Sequence, residues 1–242
     1  VFDTHAGAGA YRLDDASARR SGEAQAGVAR LMAAGSPPPA LAALATAVAR
    51  FNGDGPARCY PGSPPLALSA LGPRDRYLGC EVQPDDYATL VNTLRPFGTR
   101  AAVMKLDGYA AAARHLATDA ARTLLLIDPP FERADDYART AELVAARPRP
   151  DRQPALVWTP LKDLETFDAF LGRLEAARPR RLVALEVRLR PLDDPMRLNG
   201  CAMVMVDGPD IFDAALSAGR WVADHLGEDG RGARLIDLSD RG

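Results

Sequence analysis

The feature that most constrains the fold is the stretch Thr123-Leu124-Leu125-Leu126-Ile127-Asp128-Pro129-Pro130-Phe131-Glu132. A short apolar run bounded by prolines reads as a strand buried on both faces, the environment of a central strand in a parallel sheet. The run ends in an acid, and the C-terminal end of a central α/β strand is where open sheets bind ligands. Pro129 and Pro130 then fix an extended turn and remove two amide donors, so the local polar surface is mostly acceptor. Phe131 is expected to project an aromatic face from this loop rather than from a core element. A carboxylate and free carbonyls beside an aromatic plate suit a flat base that carries an amino group. The acid and a proline carbonyl accept its two N–H bonds while the ring stacks. The competing reading is a strand-ending acid, a rigid turn and a Phe packed into a core.

The rest of the chain supplies strands and helices in alternation. Val1 to Gly9 reads as a strand end running into a glycine-rich turn, where Gly7 and Gly9 let the backbone approach a nucleotide and permit positive φ. The dinucleotide spacing G-x-G-x-x-G is not met, because Arg12 stands at the third glycine position. Helical spacing of Val28, Leu31 and Met32, and of Leu41, Leu44, Val48 and Phe51, predicts two helices over about 17–34 and 39–52. A single helix is the simple continuation of a first strand, so this pair is read as a helical insertion. Tyr60-Pro61-Gly62-Ser63-Pro64 is expected to open the next helix, with Ser63 near its N-terminus. A strand over 76–82 ends at Glu81, where an acid is the expected partner of ribose hydroxyls. A helix over 85–94 and a strand over 100–106 lead to Asp107-Gly108, an acid placed to accept an adenine amino group. Beyond Asp128 come a helix over 135–146, a strand over 155–158, a helix over 163–177, strands over 182–189 and 201–206, a helix over 210–226 and a strand over 234–238. This order predicts an open α/β sheet with helices on both faces. The polar loop 193–199 predicts an antiparallel edge hairpin.

Composition narrows the function classes without choosing one. The chain has 242 residues, 47% hydrophobic and 26% charged, an ordinary globular balance. Its formal net charge of −2 means that the overall field gives no sign of nucleic-acid binding. Arginines cluster at Arg147, Arg149 and Arg152, at Arg178, Arg180 and Arg181, and at Arg188, Arg190 and Arg197. Gathered around Asp128 they would form a phosphate-binding rim, and scattered they are a solvated surface. Cys59, Cys80 and Cys201 are odd in number and lack a C-x-x-C pair, which suits reduced thiols in a cytosol. No secretory leader or membrane span is read from the sequence. His5, His115 and His225 lack ligand spacing, so no metal site is expected.

Asp128-Pro129-Pro130-Phe131 resembles the [D/N/S]-P-P-[Y/F/W] signature of methyltransferases that act on adenine N6 or other planar amines. D-T-H-A-G-A-G at Asp3–Gly9, R-x-G-E at Arg20–Glu23, Y-P-G-S-P at Tyr60–Pro64 and D-G-Y at Asp107–Tyr109 recur with it. In this order, over nearly the whole chain, they resemble the RlmJ family of 23S ribosomal RNA adenine-N6 methyltransferases. The resemblance implies a single class I, Rossmann-like methyltransferase domain over 1–242. Its sheet is mostly parallel with an antiparallel edge hairpin, and a small helical insertion spans 14–58. It implies S-adenosylmethionine as cofactor, contacted by His5, Gly7, Ser63, Glu81, Asp107, Gly108 and Asp128. Asp128 is then catalytic, and Pro129, Pro130 and Phe131 bind the substrate base. The implied partner is 23S ribosomal RNA, met by a cytoplasmic monomer without a membrane. An N-terminal segment of the family is expected to be missing, since Val1 already lies in a strand. Gln83 stands where a His is common, and Thr159 where a Tyr is. Other readings of the same residues are a DNA or free-base amino methyltransferase, or a cofactor-binding scaffold that assembles with ribosomal RNA or protein.

Overall fold

The computed structural model describes residues 1–13, 27–118, 123–133, 135–148, 153–194 and 198–239. The chain divides into two compact units, one formed by Val1 with Ala6–Leu106 and the other by Phe2–His5 with Asp107–Gly242. Its strands in chain order are β1 (Phe2–Asp3), β2 (Ala10–Arg12), β3 (Cys59–Pro61), β4 (Tyr77–Cys80), β5 (Ala101–Met104), β6 (Leu125–Ile127), β7 (Ala155–Leu161), β8 (Leu182–Arg188), β9 (Gly200–Val206) and β10 (Gly232–Asp237). The α-helices are α1 (Val28–Ala33), α2 (Pro39–Asn52), α3 (Ser63–Ala70), α4 (Pro84–Leu94), α5 (Gly108–Thr118), α6 (Asp136–Ala145), α7 (Leu164–Ala176) and α8 (Phe212–Leu226).

In the first unit β4 and β5 pair in parallel, Tyr77 opposite Ala101 and Cys80 opposite Met104. Their crossover is α4 followed by a 3₁₀ turn over Arg95–Arg100, and α4 starts with Pro84 at a position where the missing amide costs nothing. Ala6, Leu68, Tyr77, Leu90 and Leu94 form the core of this unit. The expected helix pair is present as α1 and α2. The part of the insertion at 14–26 lies outside the described residues. A two-stranded antiparallel ribbon, β2 with β3, pairs Tyr11 with Tyr60. Residues 60–61, read from sequence as a helix start, belong to that ribbon, and the helix begins at Ser63.

In the second unit the strand order is β10-β8-β9-β7-β6-β1. β1, β6 and β7 are parallel neighbours, with Leu125 opposite both Phe2 and Ala155. β9 runs antiparallel to β7 and to β8, and β10 runs antiparallel to β8. The sheet is therefore mixed, with a parallel core and antiparallel strands beside it. The predicted hairpin is β8–β9, and β10 lies outside it. Leu125, Ile127 and Val157 are fully buried, and β8 is buried from Leu182 to Val187. β8 has the two-sided burial of an inner strand, whereas in β6 Leu125 and Ile127 are buried and Leu126 between them is half-buried, so a slip of β6 by one residue would turn its buried side chains to the more open face. α5, for which the sequence reading named no helix, precedes β6 in the second unit.

Because β9 opposes both β7 and β8, the ends of β6, β7 and β8 lie at one edge of the sheet and their starts at the other. Asn199 fastens loops at the Asp128 edge: its amide nitrogen donates to Lys162 O at 3.0 Å and to Asp194 O at 2.8 Å. No α-helix among the described residues is long and apolar enough to cross a membrane.

Candidate active site

In the first unit the glycine turn is built around Glu81. Gly7 N donates to Glu81 Oε2 at 3.0 Å, and Gln83 N donates to Glu81 Oε1 at 2.7 Å. Ala6 N is bonded to Cys80 O, so the turn is anchored to the end of β4. Gly7 and Gly9 both have positive φ, which strains any other residue there, and a Cβ on Gly7 would also displace the Tyr11 hydroxyl, 2.2 Å away. Gly62 N donates to Gly9 O at 2.9 Å, which sets Ser63, the first residue of α3, beside the turn. Gly7, Glu81 and Ser63 are thus brought together. Each Glu81 oxygen has used one acceptor site, and each keeps a second.

In the second unit the end of β1 carries Asp3, Thr4 and His5. Asp3 is fully buried and its Oδ1 accepts from His5 N at 3.2 Å. His5 Nδ1 is 2.8 Å from Thr4 Oγ1, and its ring meets the Tyr109 ring edge-on at 4.9 Å. Burial lowers the His5 pKa to about 4, outweighing the nearby Asp136 and Asp107, so the imidazole is neutral at pH 7. Gly108 packs so closely on Thr4 that a Cβ would fall 1.8 Å from Thr4 O. Asp107 caps α5 by accepting from Ala110 N at 2.9 Å, and Arg139 Nη2 reaches both its oxygens, at 3.0 and 2.8 Å. Burial pushes the Asp107 carboxyl upward, but the Arg139 and Ala110 hydrogen bonds with the Arg139 charge outweigh it, and the net shift is downward.

Asp128 follows β6 directly. Its surface is open to solvent, and among the described residues its carboxylate accepts no hydrogen bond. Surrounding protein atoms, and then the Asp3 charge, nevertheless raise its pKa to about 6.

The expectation for Phe131 is corrected. The ring does not project from the loop; Phe131 is 4% exposed and packs against Tyr137 at 4.6 Å, Trp158 at 6.2 Å and Phe170 at 6.5 Å. Its φ of 51° lies in the left-handed region, an unusual state for an aromatic residue, and it turns the side chain inward after the two prolines. Tyr137, Trp158 and Phe170 come from α6, β7 and α7, and nothing in the local motif announces them. Trp158 also hydrogen-bonds Cys201, whose thiol burial pushes upward.

The arginines, open in the sequence between a rim at Asp128 and a solvated surface, are distributed over both edges of the sheet where they are described. Arg147 is fully buried and pairs with Asp207 at 2.9 Å. Arg178, Arg180 and Arg181 precede β8, at the sheet edge opposite Asp128, while Arg149, Arg152 and Arg197 lie outside the described residues. Arg188 and Arg190 reach the Asp128 edge, where they pair with Glu186 and Glu228.

The strand order, with a parallel core and antiparallel β9, defines an α/β methyltransferase-like fold. Matching its sequence against known families gives residues 1–238 to the family described as "Ribosomal RNA large subunit methyltransferase D, RlmJ". The chain belongs to the RlmJ family, and is an rRNA methyltransferase. It is 32% identical to Ribosomal RNA large subunit methyltransferase J of Escherichia coli over 209 residues, which cover 86% of this chain and 74% of the relative. The Haemophilus influenzae protein of the same name is 30% identical over 211 residues, with the same coverage. A crystal structure of a Legionella pneumophila protein superposes with a TM-score of 0.85 at 23% identity, over 97% of this chain and 86% of that one, and supports the fold.

Proposed function

We propose that this chain transfers a methyl group from S-adenosylmethionine to the exocyclic N6 amine of an adenine in 23S ribosomal RNA, with Asp128 as the acceptor that assists attack. The observation that carries this reading is the Asp128 carboxylate, which is exposed, without a hydrogen bond among the described residues and held at the end of a buried strand. The names of the Escherichia coli and Haemophilus influenzae relatives support the large-subunit RNA as substrate.

The donor set in each unit fits a nucleoside. Glu81 keeps acceptor sites suited to ribose hydroxyls, and Asp107 keeps one suited to an adenine amino proton. Gly7 and Gly108 hold the turn and the α5 start where these acids sit, Ser63 adds a hydroxyl, and a neutral His5 adds no positive charge beside a cationic donor. Bound there, S-adenosylmethionine supplies an electrophilic methyl group.

Adenine N6 is a weak nucleophile because its lone pair is delocalised into the ring. Asp128 and the Pro129 carbonyl accept its two N–H bonds and favour a pyramidal nitrogen as it attacks. The nitrogen gains positive charge in the transition state, so the carboxylate interaction is strongest there. The base must leave its stack at a cost of a few kcal/mol. For Phe131 to stack on it, with Pro130 beside it, the ring must leave Tyr137, Trp158 and Phe170. The protein acts as a cytoplasmic monomer in this reading.

Incubation with labelled S-adenosylmethionine and protein-free 23S ribosomal RNA, followed by nucleoside mass spectrometry, tests the proposal. N6-methyladenosine is expected. Label on another nucleoside, or transfer to DNA alone, would overturn it.

A further inference from the structure

Asp107 has four acceptor sites on its two oxygens. Oδ1 uses both, for Ala110 N at 2.9 Å and Arg139 Nη2 at 3.0 Å, and Oδ2 uses one, for the same nitrogen at 2.8 Å. One site on Oδ2 remains, enough for a single N–H donor. The arginine that consumes the others is itself held. Its guanidinium lies over the Tyr109 ring at 4.3 Å, and Tyr109 is fixed by its hydroxyl, 3.0 Å from Thr140 Oγ1 and donating to Asp136 O at 3.3 Å. Thr140 and Asp136 are both buried in α6, so the whole arrangement is braced from one helix.

We propose that Arg139 is a positioning residue that makes Asp107 a selective reader of the amino group on the donor's adenine. A carboxylate free to rotate at a helix start offers several lone pairs to water and to any donor. Clamped between the α5 amide and the Arg139 nitrogen, Asp107 offers one, in a fixed direction. An adenine amine donates to it, whereas a hypoxanthine carbonyl in the same place meets it oxygen to oxygen. The side chain of Arg139 is 28% exposed and that of Asp107 46%, so the clamp is partly shielded from solvent while the acid stays accessible.

This inference rests on the donor reading given above. The test is calorimetric binding of S-adenosylhomocysteine and S-inosylhomocysteine to the whole chain and to its Arg139→Ala variant. The parent is expected to prefer the adenine compound by about tenfold or more, the usual value of a hydrogen bond to a charged acceptor. In Arg139→Ala the preference should shrink to about threefold or less, because Asp107 then rotates and is solvated. A merely structural role would weaken both ligands alike and leave the ratio unchanged. If Arg139→Ala does not fold, Arg139→Met keeps the aliphatic stem over Tyr109 and carries the same test. Arg139→Lys should restore part of the preference through its ammonium. An unchanged ratio in the alanine or methionine variant overturns the role of Arg139 and leaves the donor reading standing. Equal binding of both compounds by the parent overturns it too, since Asp107 then reads no amine. If the parent binds neither compound, the donor reading itself has failed.

Discussion

The two edges of the sheet in the second unit handle charge in opposite ways. At one edge Arg147 and Asp207, 0% and 5% exposed, are paired, and both are hydrogen-bonded further. Arg147 also donates to Val144 O, Gln153 O and Val206 O, and Asp207 Oδ1 accepts from Arg180 N and Arg181 N. At the other edge Asp128 is open to solvent and accepts no hydrogen bond among the described residues. The first edge uses its charges to fix where α6 ends and where β8 begins. The second leaves a carboxylate unsatisfied, which suits an acid whose partner arrives with the substrate. A buried charge is tolerated only with partners, whereas an exposed one keeps its capacity for a ligand.

The largest expected effect breaks the closed edge. Asp207→Ala leaves Arg147 buried without its counter-ion and should cost about 3–5 kcal/mol of stability in a denaturant titration. A loss near 1 kcal/mol would mean that the pair is not what holds this edge. At the open edge, Asp128→Ala should lower single-turnover transfer by about 10²–10³, the range for one preorganised polar contact, with little loss of stability. A large drop in the unfolding midpoint would instead show that both edges are structural. Phe131→Ala should destabilise by about 3 kcal/mol, at the lower end for an aromatic-to-alanine change. Where the ring leaves its aromatic cluster to stack on the base, transfer should fall by roughly a further 1–3 kcal/mol, one base stack, while donor affinity holds. Equal loss in both assays would confine the ring to the core cluster. The smallest effect is a crossing with pH. A raised Asp128 pKa means that the folded state binds more protons than the unfolded one between about pH 4 and about pH 6. Stability from this group therefore falls as pH rises through that window. Asp128→Asn should match the parent at pH 4 and exceed it modestly at pH 8, since exposure limits the penalty. His5 contributes in the opposite sense in both proteins, because its lowered pKa makes acid destabilising below its ordinary value, and the difference between the two cancels it.

Much of this was legible in the sequence, and the exceptions share a cause. The apolar run before Asp128 predicts a strand, and the strand is β6, although Leu126 is half-buried where burial on both faces was expected. Gly7 and Glu81 were read from the usual positions of a glycine turn and a second strand end, and Ser63 from the family resemblance; a hydrogen bond joins the first two, and the Gly62 amide on Gly9 O brings Ser63 beside them. Phe131 was misread because its partners Tyr137, Trp158 and Phe170 are distant in sequence, and a left-handed φ cannot be inferred from a bulky residue. Arg147 reads as surface because arginine usually is, and only Asp207 and three carbonyls make its burial tolerable. Arg139 meets Asp107 from another helix, and carried no signal of its own. The β2–β3 ribbon joins segments on either side of the insertion, with no hairpin turn to announce it.

The pH dependence of single-turnover methyl transfer tests the proposed role of Asp128 most directly, because it reads the protonation state of one carboxylate in the step it is proposed to assist. In the proposed role the ionised acid stabilises the developing positive charge better than the neutral one, so the parental rate should rise through about pH 6 and level off above it. Asp128→Asn should retain partial activity with no rise through that range. A parental profile that is flat between pH 5 and 8, taken as a span of roughly one unit or more on either side of a tuned acid, would contradict it. So would a profile that Asp128→Asn reproduces, because the titrating group would then lie elsewhere.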